Sequence, residues 1–430
     1  MIMAADKQDK VLNFSIEREQ SGACSSSAEC EKNQGKNFLN VPNLRFPEFK
    51  DDWNDYHLRD LCTFHSGGTP SIDNAEYWEG EIPFVSAVAM HNTHIEKTPL
   101  TLTEKGLRDG SKQLEAGNLL LLVRGSMLWN KIPICYNDVD VAFNQDVKGI
   151  VPNSKTTSLF LLNWIQSHEN RIKYMVTGTG IGAGKLDSED LLALNVKLPS
   201  LIEQKKIEKF LSLIDERIET QIRIIEELKL FRDTLMFKLL SPRKNWEHVC
   251  IHDVAMVVGG GTPDTNVKEY WDGNIQWFTP SEIGKEKYAI ASERTISQAG
   301  LDNSSAKLLP ANTILLSTRA TIGECSIAKQ ECCTNQGFQS LIATTVTPEF
   351  LYYLIQTKKR DLLSKASGST FSEISANEVR KIRVCIPTTA KEQEAIVQPL
   401  SAYDEKIETE CKILQLYKRQ KQFLLSQMFI

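Results

Sequence analysis

The feature that most constrains this chain is a long, uninterrupted amphipathic segment that occurs twice. Residues 200–240 contain neither Gly nor Pro, and apolar residues recur there at alternating steps of four and three. The apolar positions are Ile207, Leu211, Ile214, Ile218, Ile225, Leu228, Leu235 and Leu239. This spacing predicts one apolar stripe along a long helix, of the kind that packs against a partner helix.

The same stripe returns near the C-terminus, 189 residues further along the chain. Its members are Ile396, Leu400, Tyr403, Ile407, Leu414, Tyr417, Leu424 and Met428. Polar residues fill the same two positions of each series, Gln221 and Arg232 in the first and Glu410 and Lys421 in the second. We expect the two helices to bury their stripes against each other in a rod of roughly 55 Å. The alternative, two ordinary amphipathic helices that cap separate cores, is disfavoured because ordinary helices are much shorter.

One residue distinguishes the two helices. Pro399 interrupts the second helix at the place where Phe210 stands in the first. Proline lacks the backbone N–H that the helix ladder needs, so we expect a kink or a break near the start of the second helix. The two ends of the rod are therefore not expected to be equivalent.

The segments that precede the two helices are also copies of each other. In both, short β-like runs broken by Gly, Pro and Asn precede a helix-like run, and the landmarks follow in the same order. The matched pairs include Trp53 with Trp246, Asp60 with Asp253, Tyr77-Trp78 with Tyr270-Trp271, Phe160 with Phe350, and Glu203-Gln204 with Glu392-Gln393. The chain is therefore predicted to be a tandem duplication of one unit, a mixed globule followed by a long helix.

The predicted fold class is α/β in the sense of α+β, with two tandem-repeat globular domains joined by two long helices that form an antiparallel coiled coil. An antiparallel rod places the globules at opposite ends, related by a pseudo-twofold axis. The expected segments are a flexible N-terminal tail at 1–40, a first globule at 41–200, a central helix at 201–242, a second globule at 243–390 and a C-terminal helix at 391–430.

Composition excludes several classes of protein. No run approaches the 18 apolar residues of a membrane span, and the N-terminus lacks the basic-then-apolar order of a signal peptide. The ten cysteines follow no disulfide or zinc spacing, which favours free thiols in a reducing cytoplasm and no membrane partner. A net charge of −5 argues against broad, non-specific binding of nucleic acid, which needs many Lys and Arg.

Loops rich in Gly, Thr, Asn, Gln and Arg recur at matching places in the two copies. Glycine lets backbone approach a phosphate, the Arg fork suits guanine or phosphate, and amides suit adenine edges. Two similar globules on a rigid spacer fit a pair of readers on double-stranded DNA, where half-sites recur about every 34 Å. The candidate contacts are Gly67, Gly68, Thr69, Pro70, Arg124, Asn144, Gln145, Thr179 and Lys185 in the first copy and Gly260, Gly261, Thr262, Arg319, Asn335, Gln336, Lys365, Ser369 and Thr370 in the second.

Purely structural roles compete at each of these places. A Gly-rich turn often serves only to let the backbone form a tight hairpin turn. Arg124 and Arg319 are as well suited to structural salt bridges as to DNA contacts. Recurrence in both copies shows a common origin, and a shared fold explains that as well as a shared site does.

The sequence shows no catalytic or cofactor motif. The run TGTGIGAGK at 177–185 follows a helix-like segment, whereas a dinucleotide loop follows a strand, and the second copy keeps only Gly368. His91 and His94 have no Cys or His partners that would complete a metal site. Walker, GxSxG, HExxH and amino-methyltransferase motifs are all missing. We therefore expect a chain without catalytic residues, metal or cofactor of its own.

The pattern as a whole resembles the specificity subunits of type I restriction–modification enzymes. The resemblance covers nearly the whole chain from about Val41. Its motifs are the opening LRFPEFKDDW, the twin GGTP and YW segments, LLSTRATIG followed by NQG, the Glu-Gln pairs that open both long helices, and the ending LLSQMF. Each motif is weak, but their repetition in one order is specific.

This resemblance implies a DNA-reading subunit that is not itself catalytic. Each globule would be a target recognition domain for one half of a bipartite, asymmetric DNA sequence, and the coiled coil would set the gap between the halves. The same helices would dock two modification (methyltransferase) subunits that carry S-adenosylmethionine. Restriction subunits with ATP-driven translocation and Mg²⁺-dependent cleavage would complete the enzyme, so those cofactors are expected on the partners.

Two other functions remain open at this point. A DNA methyltransferase or nuclease with its own active site is disfavoured by the absent motifs, and methylation by the purified chain alone would favour it. A scaffold that does not bind DNA is disfavoured by two globules with matching polar loops. Failure to bind DNA in the presence of candidate partners would favour the scaffold.

Overall fold

The computed structural model describes residues 40–179, 182–366 and 373–430. The predicted tail at 1–40 therefore lies outside the described residues except for its last position. Two helices of 39 residues each dominate the molecule, α5 at Leu201–Leu239 and α11 at Ala390–Met428. None of the helices in the described ranges has the length and apolar character needed to cross a bilayer.

The two long helices pack against each other in antiparallel fashion. The side-chain amide of Gln221 in α5 donates to the backbone carbonyl of Glu410 in α11 at 3.1 Å and also contacts the Glu410 carboxylate. These two residues hold equivalent positions in the two copies, so the pseudo-twofold axis passes between them. Both are buried, and the bonds from the Gln221 amide, with the Lys406 ammonium beside the Glu410 carboxylate, offset part of the cost of placing them in an apolar seam.

Two ion pairs flank this central contact and are counterparts of each other. Arg232 pairs with Asp404 at 2.9 Å, and Lys421 pairs with Asp215 at 2.7 Å. The basic members are the polar seam residues that the sequence pattern singled out. Their partners are one α5 and one α11 aspartate, so each end of the rod carries a cross-helix pair that fixes the register.

The first globule contains strands and short helices between residue 54 and the start of α5. Its strands are β1 Asn54–His57, β2 Cys62–Ser66, β3 Trp78–Val85, β4 His94–Ile95, β5 Leu100–Leu102, β6 Gln113–Leu114, β7 Leu119–Leu122, β8 Arg124–Gly125, β9 Ile134–Asn137, β10 Val141–Phe143, β11 Val147–Pro152, β12 Thr177–Gly178, β13 Gly184–Lys185 and β14 Asn195–Leu198. Its helices are α1 Glu104–Gly110, α2 Ser158–Ser167, α3 Glu169–Lys173 and α4 Ser188–Leu192.

The second globule repeats this order with fewer strands. Its strands are β15 Glu247–Cys250, β16 Ala255–Gly259, β17 Trp271–Phe278, β18 Tyr288–Ala289, β19 Arg294–Ile296, β20 Ile314–Leu316, β21 Cys325–Ala328, β22 Cys332–Thr334, β23 Gln339–Ala343 and β24 Arg383–Ile386. Its helices are α6 Ile251–Val254, α7 Gln298–Asp302, α8 Pro348–Thr357, α9 Lys359–Ser364 and α10 Ala376–Arg380.

The main sheets of the two globules have the same topology. Five strands lie in the order β2-β11-β7-β9-β4 in the first copy and β16-β23-β20-β21-β18 in the second. Each sheet is mostly antiparallel, and its last pair is parallel in both copies. A second sheet, β5-β3-β10-β6 or β19-β17-β22, packs beside it. The predicted fold class is confirmed, with the tandem copies built on one strand order.

Each globule shares its core with one end of the rod. The core of the first includes the start of α5, at Ile207 and Leu211, and the end of α11, at Met428. The core of the second includes Met236 near the end of α5 and Leu400 near the start of α11. The globules therefore lie at opposite ends of the antiparallel helix pair.

The Glu-Gln pair that opens each long helix fastens the helix to its globule. Arg45 donates to both carboxylate oxygens of Glu203 at 2.7 and 2.8 Å, and the indole of Trp53 reaches the same carboxylate at 3.3 Å. The second copy repeats the bond between Trp246 and Glu392 at 2.9 Å. These partners account for the burial of Glu203, because a buried carboxylate needs charged or hydrogen-bonded neighbours.

Of the kink or break expected near Pro399, the break is not present. α11 is continuous from Ala390 to Met428, with Pro399 inside it. Its neighbours Ile396 and Leu400 are buried against the second globule at 3% and 0% exposure. This packing holds the helix together across the position at which the proline removes a hydrogen bond.

Candidate nucleic-acid interface

The candidate DNA-binding loops of the first globule gather at one edge of its main sheet, which we call the loop edge. The segment after β2 meets the end of β10, where the Gly68 amide donates to the Phe143 carbonyl at 3.0 Å. The end of β7 meets the next turn, where the Val123 amide donates to the Asp146 carbonyl at 2.8 Å. The edge therefore brings together residues 67–70, Arg124 and residues 144–145.

The second globule builds the same loop edge from matching residues. The Gly261 amide donates to the Thr334 carbonyl at 2.8 Å, and the Thr318 amide donates to the Gly337 carbonyl at 2.8 Å. Residues 260–263, Arg319 and residues 335–336 therefore meet in space as their counterparts do. Three loops that are far apart in sequence become one surface in each copy because neighbouring strands end there.

The GGTP loop in each copy is held by a hydrogen bond between equivalent side chains. The Thr69 hydroxyl donates to the side-chain oxygen Oε1 of Gln145 at 2.7 Å, and the Thr262 hydroxyl makes the same bond to Oε1 of Gln336. Thr69, Gln145 and Gln336 are exposed and Thr262 is half-buried, whereas Pro70 and Pro263 are buried. Two of the predicted polar groups in each copy are therefore oriented by each other and face solvent.

The glycines of this loop are explained by packing within the globule. A Cβ on Gly67 would lie 2.1 Å from the Phe143 carbonyl oxygen, and one on Gly260 would lie 2.0 Å from the Asn335 carbonyl oxygen. Neighbouring Gly68 and Gly261 are equally crowded by backbone. No side chain fits at these positions, so the need for glycine arises inside the protein and the suggested phosphate contact stays a prediction.

The two members of the Asn-Gln pairs have different surroundings. Asn144 is 9% exposed, and its side-chain oxygen accepts the Asp146 amide at 3.1 Å. In the second copy the Asn335 side chain accepts the Gly337 amide at 2.8 Å. Both asparagines therefore shape the turn, and the neighbouring glutamines are the better placed to meet a ligand.

Arg124 and Arg319 hold equivalent places but differ in their charge partners. Arg319 forms an ion pair with Glu373 at 2.8 Å. Within the described ranges Arg124 has no ion-pair partner and lies exposed at the end of the buried strand β7. The sequence left a salt bridge and a DNA contact open for both arginines, and the structure gives the salt bridge to Arg319 only.

A hairpin extends the loop edge of the first globule. β12 and β13 pair with each other, and β13 pairs with β8 so that Lys185 lies opposite Arg124. Lys185 is 3.5 Å from Asp187, and the Thr179 hydroxyl donates to the Ala183 carbonyl at 2.9 Å. Two cationic side chains thus stand side by side on this hairpin, one of them beside a carboxylate.

The matching segment of the second globule is described only at its flanks. The side chain of Lys365 reaches α10, where its ammonium donates to the Glu378 carboxylate at 3.1 Å. This bond holds the pKa of the Glu378 carboxyl below its usual value. Ser369 and Thr370 lie outside the described residues. Arg319 and Glu373 also form an isolated antiparallel β-bridge through their backbones. It lies at the place where the first copy has the three-stranded sheet β12-β13-β8.

Sequence reasoning missed one surface residue of the loop edge. Trp129 is 47% exposed, and its indole N–H donates to the Gly182 carbonyl of the hairpin at 3.0 Å. The bond leaves the residue 47% exposed, against the hairpin whose strand β13 carries Lys185. An exposed tryptophan next to cations is a common stacking surface for nucleic acid. The available signal was its position four residues after Gly125, close behind Arg124 in the sequence.

Comparison with known proteins places this architecture in a family. The model of the type I restriction modification DNA specificity domain matches residues 50–230 and again residues 243–418. The chain belongs to this family. The two matched stretches are the two tandem units, each a globule with most of its long helix, and the resemblance drawn from the sequence is thereby confirmed.

Curated relatives from this family match part or all of the chain. The MjaIX specificity subunit of Methanocaldococcus jannaschii is 38% identical over 39% of this chain and 40% of its own length. The EcoR124I/EcoR124II specificity subunit of Escherichia coli is 28% identical over 46% of this chain and 51% of its own length. A putative MjaX specificity subunit of M. jannaschii is 21% identical over 90% of this chain and 95% of its own. The first two relatives are therefore matched over about half their length or less.

Solved structures share the fold of the specificity domain family. The S subunit of a type I restriction-modification system from M. genitalium has a TM-score of 0.52 at 16% identity, over 91% of this chain and 99% of its own. A chain from a type I R-M system studied for complex assembly and conformational transition has a TM-score of 0.55 at 16% identity, over 88% and 97%. At this identity the likeness shows the fold alone, including the two globules and the helix pair.

Proposed function

We propose that the chain reads DNA with both loop edges, each recognising one half of a bipartite, asymmetric target. The observation that carries this proposal is the construction of one loop edge twice, at opposite ends of an antiparallel rod. Both edges contain the Thr-Gln hydrogen bond, so the backbone of the loop is held in the same way in both. The first edge has an exposed Arg124, Trp129 and the β12–β13 hairpin, whereas the second has Arg319 paired with Glu373. The two edges therefore present different side chains to DNA.

The rod sets the separation of the two half-sites in this proposal. A helix of 39 residues spans about 58 Å at roughly 1.5 Å per residue. Half-sites on one face of DNA recur about every 34 Å, so globules at the two rod ends would span between one and two helical turns. The central Gln221–Glu410 contact and the flanking ion pairs fix the register, which keeps that separation constant.

The outer faces of the rod are the proposed docking surface for two modification subunits. The helix residues Arg217, Arg223, Glu226, Glu227 and Lys229 are all exposed. Large apolar side chains stand among them, with Leu230 at 70% and Phe231 at 55% exposure. Apolar side chains of this size on a charged surface favour a protein partner over a solvated face.

The chain is proposed to be non-catalytic. S-adenosylmethionine would then be carried by the modification subunits, and ATP and Mg²⁺ by restriction subunits that join them. A net charge of −5 supports this division of labour, because partners that supply positive surface would strengthen DNA binding. We therefore expect the isolated chain to bind DNA weakly and the assembled enzyme to bind it tightly.

The host methylome with and without this gene tests the proposal. We expect one bipartite, asymmetric motif that carries N6-methyladenine to disappear when the gene is deleted and to return when it is restored. A host that carries the modification gene but shows an unchanged methylome would contradict the proposal. Loss of a continuous palindromic motif would contradict the two-reader arrangement while leaving a role in methylation.

A further inference from the structure

A cluster of metal-binding side chains lies at the start of the second globule, seven residues before the first segment of its loop edge. Cys250, His252 and Asp253 come from the end of β15 and from α6, and their ligand atoms all lie within 4.8 Å of one another. The Nε2 atom of His252 is 3.3 Å from Oδ1 of Asp253. Two ligands bound at about 2.0–2.1 Å to one tetrahedral ion are separated by about 3.3 Å, so this pair already has the required spacing.

Both residues of this pair are oriented by bonds to the backbone. The Nδ1 atom of His252 lies 3.0 Å from the Arg380 carbonyl, which makes Nδ1 the donor and leaves the lone pair of Nε2 available. Oδ2 of Asp253 accepts the Cys250 amide at 2.8 Å, which leaves Oδ1 available. Metal-binding histidines are typically held in this way by a carbonyl on the second ring nitrogen.

The first globule provides an internal comparison in which an arginine replaces the ligand at the position of His252. His57, Arg59 and Asp60 stand where Cys250, His252 and Asp253 stand in the second. Arg59 donates to the Leu192 carbonyl at 3.4 Å, which is the counterpart of the bond from His252. The carbonyl is thus satisfied in both copies, but only the second copy uses a side chain that has a lone pair left over.

Two further metal-binding side chains stand beside the cluster. Cys385 lies directly across the β15–β24 ladder from His248, with 3.0 Å between its sulfur and Nδ1 of His248. His248 and Cys250 are two residues apart on β15 and therefore point to the same face of the ladder. The first copy has Asp55 and Lys197 at these positions, an ordinary ion pair at 3.7 Å.

We propose that Cys250, His252 and Asp253 form a binding site for a divalent cation of borderline softness, with Zn²⁺ as the best fit. Thiolate, imidazole and carboxylate are the ligand types that Zn²⁺ accepts, and three protein ligands leave one position for water. The Cys250 sulfur is the third ligand, since it already lies within 4.8 Å of both other ligand atoms. The bound ion ties the end of β15 to α6 and stabilises the second globule against unfolding.

Titration of the untagged, full-length chain with Co²⁺ tests this site. A tetrahedral Co²⁺ ion bound to a thiolate gives a charge-transfer band and intense visible bands that Zn²⁺ abolishes by displacement. We expect a single saturable equivalent, and Zn²⁺ is expected to raise the melting temperature. Loss of even an outer partner of a metal site commonly weakens binding by about 10- to 100-fold, so Cys250→Ser is expected to weaken it at least about tenfold.

The decisive variant is His252→Arg, which installs the residue of the first copy and keeps the bond to the Arg380 carbonyl. It is expected to fold normally and to lose the Co²⁺ bands. Cys411→Ser removes another partly exposed thiol, on α11, and is expected to leave them unchanged. Absence of a saturable band in the wild type, or a band that survives His252→Arg, would overturn the assignment. A band lost only with Cys411→Ser would do so as well.

Discussion

At the scale of single residues, the two loop edges differ in how much free positive charge they present. Arg124 is exposed and, in the described part of the chain, without a carboxylate partner, whereas Arg319 is paired with Glu373 at 2.8 Å. A guanidinium that is already paired gives up that interaction before it binds DNA. The proposed contribution to DNA binding is therefore larger for Arg124, even though the two residues occupy equivalent positions.

Arg124→Ala is expected to weaken DNA binding by the assembled enzyme by about 1–3 kcal/mol if the residue reads a guanine, with relaxed specificity at one base pair. A uniform loss across sequences, with a smaller dependence on salt, would instead indicate a phosphate contact. Fluorescence anisotropy at two salt concentrations separates these cases. Arg319→Ala is the matched control and is expected to have the smaller effect; the reverse order would contradict the prediction.

One carboxylic acid makes folding sensitive to pH at the residue scale. Burial raises the pKa of Glu208 to about 7, although the Phe160 amide and Lys205 oppose the shift. Its carboxyl contacts the hydroxyl of Thr157, the residue that caps α2. A folded pKa above the unfolded value stabilises the folded state at low pH, and that stabilisation is lost as the pH rises through about 7.

We therefore expect the free energy of unfolding of the wild type, measured relative to Glu208→Gln, to fall between about pH 4.5 and pH 7. The amide cannot ionise, so the variant lacks this component of the pH dependence. Urea unfolding of both proteins at several pH values gives the difference. Val397 stands at the matching position of α11 and has no charge, which locates the effect in the first globule. Parallel pH profiles for the two proteins would refute the assignment.

At the scale of elements, the long helices are attached to the globules by their first turns and to each other by their stripes. Glu203 and Glu392 bond to the tryptophans that open the two globules. These glutamates belong to the Glu-Gln pairs that open both long helices of this chain, so the pairs serve to attach each helix to its globule. α11 tolerates Pro399 because buried neighbours on both sides hold the backbone in place.

Pro399→Ala is expected to stabilise the chain by about 1–3 kcal/mol, since an interior proline costs a helix about 3 kcal/mol and part of that is relieved by packing. Chemical unfolding monitored by circular dichroism measures the change. Phe210→Ala, at the matching position of α5, is the control and is expected to destabilise, because Phe210 packs edge-on against Phe46 at 5.8 Å. Equal destabilisation by both substitutions would show that Pro399 is part of a required packing arrangement.

At the scale of the whole molecule, the antiparallel helix pair turns a sequence duplication into a near-symmetric object. Each globule shares a core with one end of the rod, so the distance between the loop edges depends on helix length. The symmetry is approximate because the surfaces of the two globules have diverged. The hairpin of the first and the cysteine and histidine residues of the second are the clearest differences.

Insertion of one heptad into both long helices, beside the Gln221–Glu410 contact, is expected to lengthen the gap between half-sites by about three base pairs. Seven residues add about 10.5 Å at roughly 1.5 Å each, and one base pair takes about 3.4 Å. The methylome of a host that expresses the variant reveals the new gap. Insertion into α5 alone displaces the stripes and is expected to abolish methylation. An unchanged gap with a double insertion would refute the role of the rod as spacer.

Features that depend on local periodicity and on repetition could be predicted from the amino-acid sequence. The stripes of α5 and α11, their polar interruptions and the order of elements in two copies follow from spacing, because side chains three and four residues apart share one helix face. The family resemblance rests on the same repeated landmarks. The candidate loops were also located, since Gly, Pro and Asn mark the places where strands end.

Which residues of those loops are available to a ligand depends on the tertiary structure. Asn144 and Gln145 are neighbours of similar chemistry, yet one is buried in its turn and the other is exposed. Arg319 is neutralised by Glu373, 54 residues further along the chain, and the need for Gly67 arises from the backbone of Phe143. Such exposure and pairing depend on contacts between segments that are distant in sequence, and no local pattern encodes which segments will meet.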